Sequence, residues 1–365
     1  MLRPLEIVTG DFAPVPDISD FFLSIFEHFA DPKKRVFIGY ILISIFIAFL
    51  WLVVARKLSL RRALAKIFDK RIFFSKSSRG DYSVFFINRV FTLFISPLLL
   101  TQLAVATALF HYLHQLPWLA FPTAALVPKF IVVTGFTLTI FILDDLTKYF
   151  VHCWMHKWPM LWSLHKVHHS ATNLTPLTIY RTHPLEGIVF SLRSAFTQGL
   201  ALSVFFFWFA DKVDLMTVLG VNVLVFVFNV AGSNLRHSHI GIRYWRWLEF
   251  VLISPAQHQL HHSVATQHHD KNFGATLALW DWLFGSLHHS VETDDLTLGL
   301  DHDEAEDDHG LYAMYVRPVV EIGMYLSHKL GWIKSKVTVI IKPMPTAQWL
   351  LNCHSKTQDQ DKNNA

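Results

Sequence analysis

Apolar residues in this chain fall in long unbroken blocks separated by polar, histidine-bearing stretches. The clearest block, Val36–Ala55, has twenty residues without a charge, enough as a helix to cross about 30 Å of hydrocarbon. From Val90 to Pro128, thirty-nine residues contain no Asp, Glu, Lys or Arg, with His111, His114 and Pro117 near the middle. A further run, Phe130 to Leu143, stops at Asp144 and Asp145. The pattern therefore predicts a helical hairpin over Val90–Leu143, with Pro122 and Pro128 at kinks or turns. Ala195–Ala210 and Leu215–Asn234 form another uncharged pair around Asp211–Asp214, read as a second hairpin or a re-entrant pair over 195–234. Several such runs argue against buried helices of a soluble protein.

The expected class is an all-α integral membrane protein with about four transmembrane helices, in two hairpin pairs at most, under a helical cap. Its segments are 1–35 at the N-terminus, 36–143 with the first helices and a basic loop, 144–315 with the chemistry, a C-terminal helical segment 316–354 and a disordered tail 355–365. Composition agrees, with 52% hydrophobic against 16% charged residues. Charge adds an orientation. The segment Arg56–Arg89 carries ten Lys or Arg against Asp69 and Asp81, which places that loop in the cytoplasm. An even number of later passes puts 144–194 and 235–315 on the same side.

Charge also excludes partners. A net charge of +4 gathered beside apolar spans forms no stripe interleaved with aromatics, so nucleic acid is not expected. Cys153 and Cys353 are the two cysteines, too few and too far apart for a disulfide scaffold or a zinc knuckle. The acidic start lacks a basic region before an apolar core, so no cleavable signal is evident. The acidic run Asp301–Asp308 reads as a solvated loop.

Histidine changes the picture most. Fifteen of the 22 histidines lie between His152 and His289, and their spacing is helical. His152 and His156 are i and i+4; His165, His168 and His169 are i, i+3 and i+4; His258, His261 and His262 repeat the triple in SPAQHQLHHS, where Ser254 and Pro255 supply a helix start. His183, His237 and His239 lie between. Eight or more imidazoles exceed one mononuclear site and imply two metals with four or five nitrogens each. Imidazole suits Zn, Cu, Fe and Ni. A structural zinc site closes with four ligands, and HExxH is missing, so two redox metals that activate dioxygen are favoured over hydrolysis. A histidine-lined metal or proton transporter is the reading from a different class, but transporters place ionisable groups at mid-membrane, whereas these boxes follow the spans.

The run DDLTKYFVHCWMHKWPMLWSLHKVHHSATNLTPLTIYRTHPLEG, with ISPAQHQLHHS and DKNFGATLALWDWLFGS after it, resembles the fatty acid hydroxylase / sterol desaturase superfamily of integral-membrane di-iron oxygenases. The resemblance covers about Leu143–Leu287. It implies a four-helix membrane base, a cytosolic cap, two irons, dioxygen as co-substrate and oxidation of a lipid C–H bond. The expected activity is hydroxylation of a fatty acyl, sterol-like or other lipid, with desaturation or ether-lipid oxygenation as alternatives on the same scaffold.

Carried over by motif, His152, His156, His165, His168, His169, His258, His261 and His262 are the metal ligands. Many members carry a further histidine where this chain has Gly232, so His239 is the best substitute, then His237, with His183 also a candidate. Asp145, Glu186, Glu249, Asp270 and Asp281 are candidates to accept the outer ring N–H of ligand histidines. No catalytic residue is expected beyond the metal centre. No GxGxxG, flavin or haem signature occurs, so electrons are expected from a separate reductase or small carrier.

Overall fold

The computed structural model describes residues 18–95, 99, 101–119, 124, 126–293, 296–300 and 309–340. The expected turn at Pro122, the acidic run Asp301–Asp308 and the tail 355–365 lie outside the described residues.

Helix α1 (Ile18–Ala30) is followed by α2 (Ile38–Leu50), which continues as one π-helical turn, Trp51–Ala55. The sequence of α2 is rich in β-branched residues, and a helix satisfies all its backbone groups internally where water cannot. Its two faces differ. Tyr40, Ser44 and Ala48, spaced by four, are buried, the two small ones allowing close approach. Ile38, Leu42, Phe46 and Leu50, also spaced by four, are exposed, an apolar row suited to lipid. Helices α3 (Leu60–Ile67) and α4 (Lys70–Phe73) begin on the side-chain caps of Ser59 and Asp69, as short oxygen-bearing side chains do. Ala63 and Ile67 join Ala48, Leu52, Leu235, Ile240 and Ile242 in one core cluster.

Helix α5 (Lys76–Ile95) packs on α1, and α6 (Gln102–His114), capped by Thr101, packs along α9 (Pro184–Phe209). Helix α7 (Lys129–Lys157) has 29 residues, about 44 Å at 1.5 Å per residue. Pro128 precedes it, and the extended Trp158 before Pro159 ends it. Helix α8 (Pro159–His169) starts at once. Helices α7 and α9 are antiparallel. At one end Arg193 of α9 pairs with Asp144 of α7 at 3.0 Å. At the other, Trp208 Nε1 donates to Leu119 O and Lys212 Nζ to Val127 O. The polar end of α7 and the start of α9 therefore share a side.

Among the described residues, three helices are long and apolar enough to cross a membrane: Ile38–Ala55, Lys129–Lys157 and Pro184–Lys212. The second apolar hairpin expected over 195–234 is seen only in its first half, inside α9. After it the chain forms a two-stranded ribbon, β1 (Thr217–Val218) and β2 (Val221–Asn222), then α10 (Val223–Val230). The eight residues of α10 rise about 12 Å, well short of a span. The physical reason is local. Leu219 and Gly220 adopt positive φ in the turn, and Asn222 ties the ribbon to Thr137 O of α7 while capping α10.

Beyond Gly232, left-handed at φ 95°, a 3₁₀ turn covers Ser233–His237. Helix α11 (Pro255–His261) starts on a capping box of Ser254 and Gln257, as Ser254-Pro255 predicts, and α12 (Leu279–Phe284) ends at the left-handed Gly285. Helix α13 (Arg317–Ile340) leads into a separate compact unit that begins at Val320.

One buried ion pair fixes α8 against α5. Arg181 Nη1 lies 3.1 Å from Asp81 Oδ1, and its other nitrogens donate to Val167 O and Ser170 Oγ at the end of α8. Burial outweighs the attraction of Arg181 and pushes the Asp81 carboxyl up to about 6. Arg181→Met is expected to lower stability by about 3–5 kcal/mol, because it strands a buried carboxylate, and the double change with Asp81→Leu to recover most of that loss. Thermal unfolding of the two variants checks this; equal destabilisation by both contradicts it.

Candidate metal centre

The histidines on α7, α8, α11 and the 3₁₀ turn meet in one buried region. His152 and His156 lie on the last turns of α7, with His165, His168 and His169 on α8 and His258, His261 and His262 on α11 or at its end. They divide into two groups, each with one ligand atom per residue and all ligand atoms within 4.8 Å of one another. The first holds His152, His156, His165, His169 and His261; the second holds His168, His237, His258 and His262. Each HxxHH box splits the same way. Its i and i+4 members serve one group and its i+3 member the other, since successive helical residues turn by about 100°. The groups touch through stacked rings of His169 and His262, centroids 4.5 Å apart.

Hydrogen bonds set the tautomers of three of these rings. His152 Nδ1 donates to Phe273 O at 2.8 Å, His261 Nδ1 to Lys271 O at 2.7 Å, and His165 Nδ1 to the Glu186 carboxylate at 2.8 Å. A backbone carbonyl only accepts, so the Nε2 of a neutral His152 or His261 ring presents a lone pair. The Nε2 atoms of His152 and His261 then face each other at 3.1 Å, and the Nε2 atoms of His156, His165 and His169 are buried without a hydrogen bond. Lone pairs held this close repel unless a cation lies among them. A proton is a poor candidate, because burial pushes His261 down to about 3 and pushes His169, His168, His237, His258 and His262 well below the ordinary imidazole range. In the second group His237 Nε2 lies 3.2 Å from His168 Nε2 and 3.0 Å from His258 Nε2. Neutral, convergent, dry imidazoles fit borderline metals, and two groups fit two ions.

Of the three intermediate histidines, only His237 is brought to the centre. The 3₁₀ turn carries it inward. His239 points the other way, its Nε2 2.7 Å from Lys66 O and its ring edge-on to Phe73. His183 caps α9, accepting from Leu185 N, with its Nε2 3.2 Å from Tyr315 O. The order of preference that favoured His239 is thus reversed in the geometry.

Among the five acidic candidates, Glu186 meets a ligand histidine. Asp145 instead accepts from Thr276 N, Leu277 N and Trp280 Nε1. Asp281 accepts from Phe273 N, Gly274 N and Ser286 Oγ, and burial pushes its carboxyl up to about 6. Together these two fold the 273–281 loop so that Phe273 O faces His152. Glu249 accepts from Ser254 Oγ and from Ser290, and Asp270 is exposed with φ 57°. The carbonyls of Lys271 and Phe273 escape sequence reasoning because any residue supplies a carbonyl; the NFG run beside them is the signal. Trp162 was also missed, and its ring lies 5.2 Å from that of His156. A cavity of about 300 Å³ borders His156, His169 and His261 and reaches the exposed Asp270.

Glu186→Ala should weaken metal retention or activity about 10- to 100-fold, the usual cost of removing an outer hydrogen bond, and Glu186→Gln, which keeps the acceptor, substantially less. Metal content after dialysis against a chelator checks both, and equal losses would place the role in the charge alone.

Residues 137–286 match the fatty acid hydroxylase family. An alkylglycerol monooxygenase of Danio rerio is 27% identical over 158 residues, covering 43% of this chain and 31% of that protein. An ornithine lipid hydroxylase of Rhizobium tropici is 25% identical, covering 44% of each chain. A beta-carotene hydroxylase of a Paracoccus species is 28% identical over 132 residues, 36% of this chain and 74% of that protein. The chain thus spans less than a third of the alkylglycerol monooxygenase it matches. No solved structure matches it.

Proposed function

We propose that this chain, whose residues 137–286 belong to the fatty acid hydroxylase / sterol desaturase superfamily, is a multi-pass membrane oxidoreductase that hydroxylates a C–H bond of a lipid with two irons and dioxygen. The observation that carries the reading is the division of nine histidines, seven of them buried and two half-buried, into a five-membered and a four-membered group whose inward nitrogens lack other partners. His152, His156, His165, His169 and His261 would hold one iron, and His168, His237, His258 and His262 the other. When bound, the irons supply dioxygen activation, one oxygen atom entering the C–H bond and the other leaving as water, with electrons and protons from a separate donor.

The rest is done by this chain's own residues. Phe273 O, Lys271 O and Glu186 hold three rings with Nε2 inward, so orientation is set before any ligand arrives. Burial disfavours the protonated form of His168, His169, His237, His258, His261 and His262 and limits the water that would quench a strong oxidant. Helices α7 and α9 carry His152, His156 and Glu186 at their common end, next to long apolar stretches, which brings a membrane lipid to the same level as the metals. The excess of Lys and Arg in the loop before α5 supports a cytoplasmic placement of that end.

The test is metal analysis of the purified protein with comparative lipidomics of cells with and without it. About two irons per chain and a lipid heavier by one oxygen are expected. Fewer than about two metals, or zinc alone, would sink the di-iron reading; a lipid lacking two hydrogens would instead identify desaturation. Ether-lipid oxygenation is the second reading, favoured by the alkylglycerol monooxygenases among the relatives, and a cleaved ether product would mark it. A transporter would show no oxidised lipid at all.

A further inference from the structure

A cavity of about 380 Å³ lies between the end of α1, the second half of α5 and the first turns of α9. Eight of its fifteen lining residues, both basic ones among them, lie ahead of 137, outside the matched family segment. One side is cationic. Lys34 and Arg89 line it, and Arg89 Nη1 sits 2.6 Å from Nε2 of the buried His28. The Arg89 guanidinium lies 5.7 Å from the Phe85 ring and 5.8 Å from the Tyr180 ring. Its Nε is buried without a hydrogen bond. Among the described residues no carboxylate lines the cavity and none pairs with Arg89 or Lys34. The other side is apolar, formed by Phe91, Ile95 and Leu99, spaced by four along and just beyond α5, and by Ile188 of α9.

A partly dehydrated guanidinium without a counter-ion is costly, and aromatic faces repay only a small part of that cost. An anion at Arg89 and Lys34 would repay the rest. The adjoining apolar wall selects an anion that carries a hydrocarbon chain, and basic pockets of this kind between helices receive lipid headgroups. We propose that this cavity binds the anionic headgroup of a membrane lipid, with the first part of its chain along Phe91, Ile95 and Ile188. The site goes beyond the redox chemistry and stands whether or not this lipid is the one oxidised.

The test uses the full chain in phosphatidylcholine nanodiscs, with phosphatidylglycerol as the probe and native mass spectrometry as the readout. Two basic contacts should retain phosphatidylglycerol over phosphatidylcholine by on the order of 30-fold. Lys34→Gln with Arg89→Gln should abolish the preference, whereas Arg61→Gln with Arg62→Gln, two exposed residues of α3, removes the same charge and should leave it intact. Equal retention of the two lipids by the unaltered protein overturns the proposal, and that comparison needs no variant to fold. Loss of the preference in the α3 control overturns it too, since a general surface attraction would then explain the binding. Displacement of phosphatidylglycerol by millimolar inorganic phosphate would make the site one for a free anion, and the lipid assignment would fall.

Discussion

His237→Ala is expected to lower bound metal from about two ions per chain to about one and to reduce lipid oxidation more than about 100-fold, while His239→Ala, two residues on, leaves both unchanged. His237 is within 3.2 Å of His168 and 3.0 Å of His258, nitrogen to nitrogen, and belongs to the smaller group, which would be left with His168, His258 and His262. His239 spends its Nε2 on a backbone carbonyl of α3. His168→Ala should behave as His237→Ala does, because it breaks the same group, and should retain the ion held by the five-membered one. Iron content by plasma emission and product by mass spectrometry read both outcomes. A His239→Ala protein that loses metal while His237→Ala keeps it would overturn the assignment of the fourth ligand.

The second large effect concerns a residue that touches no metal ligand. Asp145→Ala removes the acceptor for three buried donors, Thr276 N, Leu277 N and Trp280 Nε1. At about 1–3 kcal/mol for each donor left unsatisfied, the loss should be on the order of 4 kcal/mol. The same loop carries Phe273 O, which orients His152. Asp145→Ala should therefore unfold at lower temperature and also lose metal from the five-membered group ahead of the other. Asp145→Asn, with one acceptor oxygen in place of two, should fall between. A stable Asp145→Ala protein with full metal content would show that the loop holds its shape without this carboxylate.

Much of the centre is legible in the sequence, because eight of its histidines sit at helical intervals that bring each box to one side of a helix. The division of those boxes between two groups is not. A spacing of i, i+3 and i+4 places the outer members on either side of the first, and only the partner helix decides which goes where. The choice between His237 and His239 is equally hidden, since it depends on the left-handed Gly232 and the 3₁₀ turn after it, a backbone feature with no periodicity. Apolar content located α2, α7 and α9 but overstated the region after Asp214, where a twenty-residue uncharged run is divided into a ribbon tied to α7 and an eight-residue helix too short to span. Asp145 and Asp281 are expected from the sequence to accept from ligand histidines, but they bind the 273–281 loop instead, chiefly through backbone amides, which no residue name reveals.

Helix α7 runs unbroken from Lys129 to Lys157, with no proline inside it and Gly135 as its one glycine. Its early turns lie in the apolar stretch and its last turns carry His152 and His156. A thicker or thinner bilayer is met by tilting such a helix, and a rod without a hinge delivers the tilt at its far end. The hydrocarbon depth of the host membrane is thereby expected to act mechanically on His152 and His156, with the acyl-chain length of the surrounding lipid as the variable that moves them.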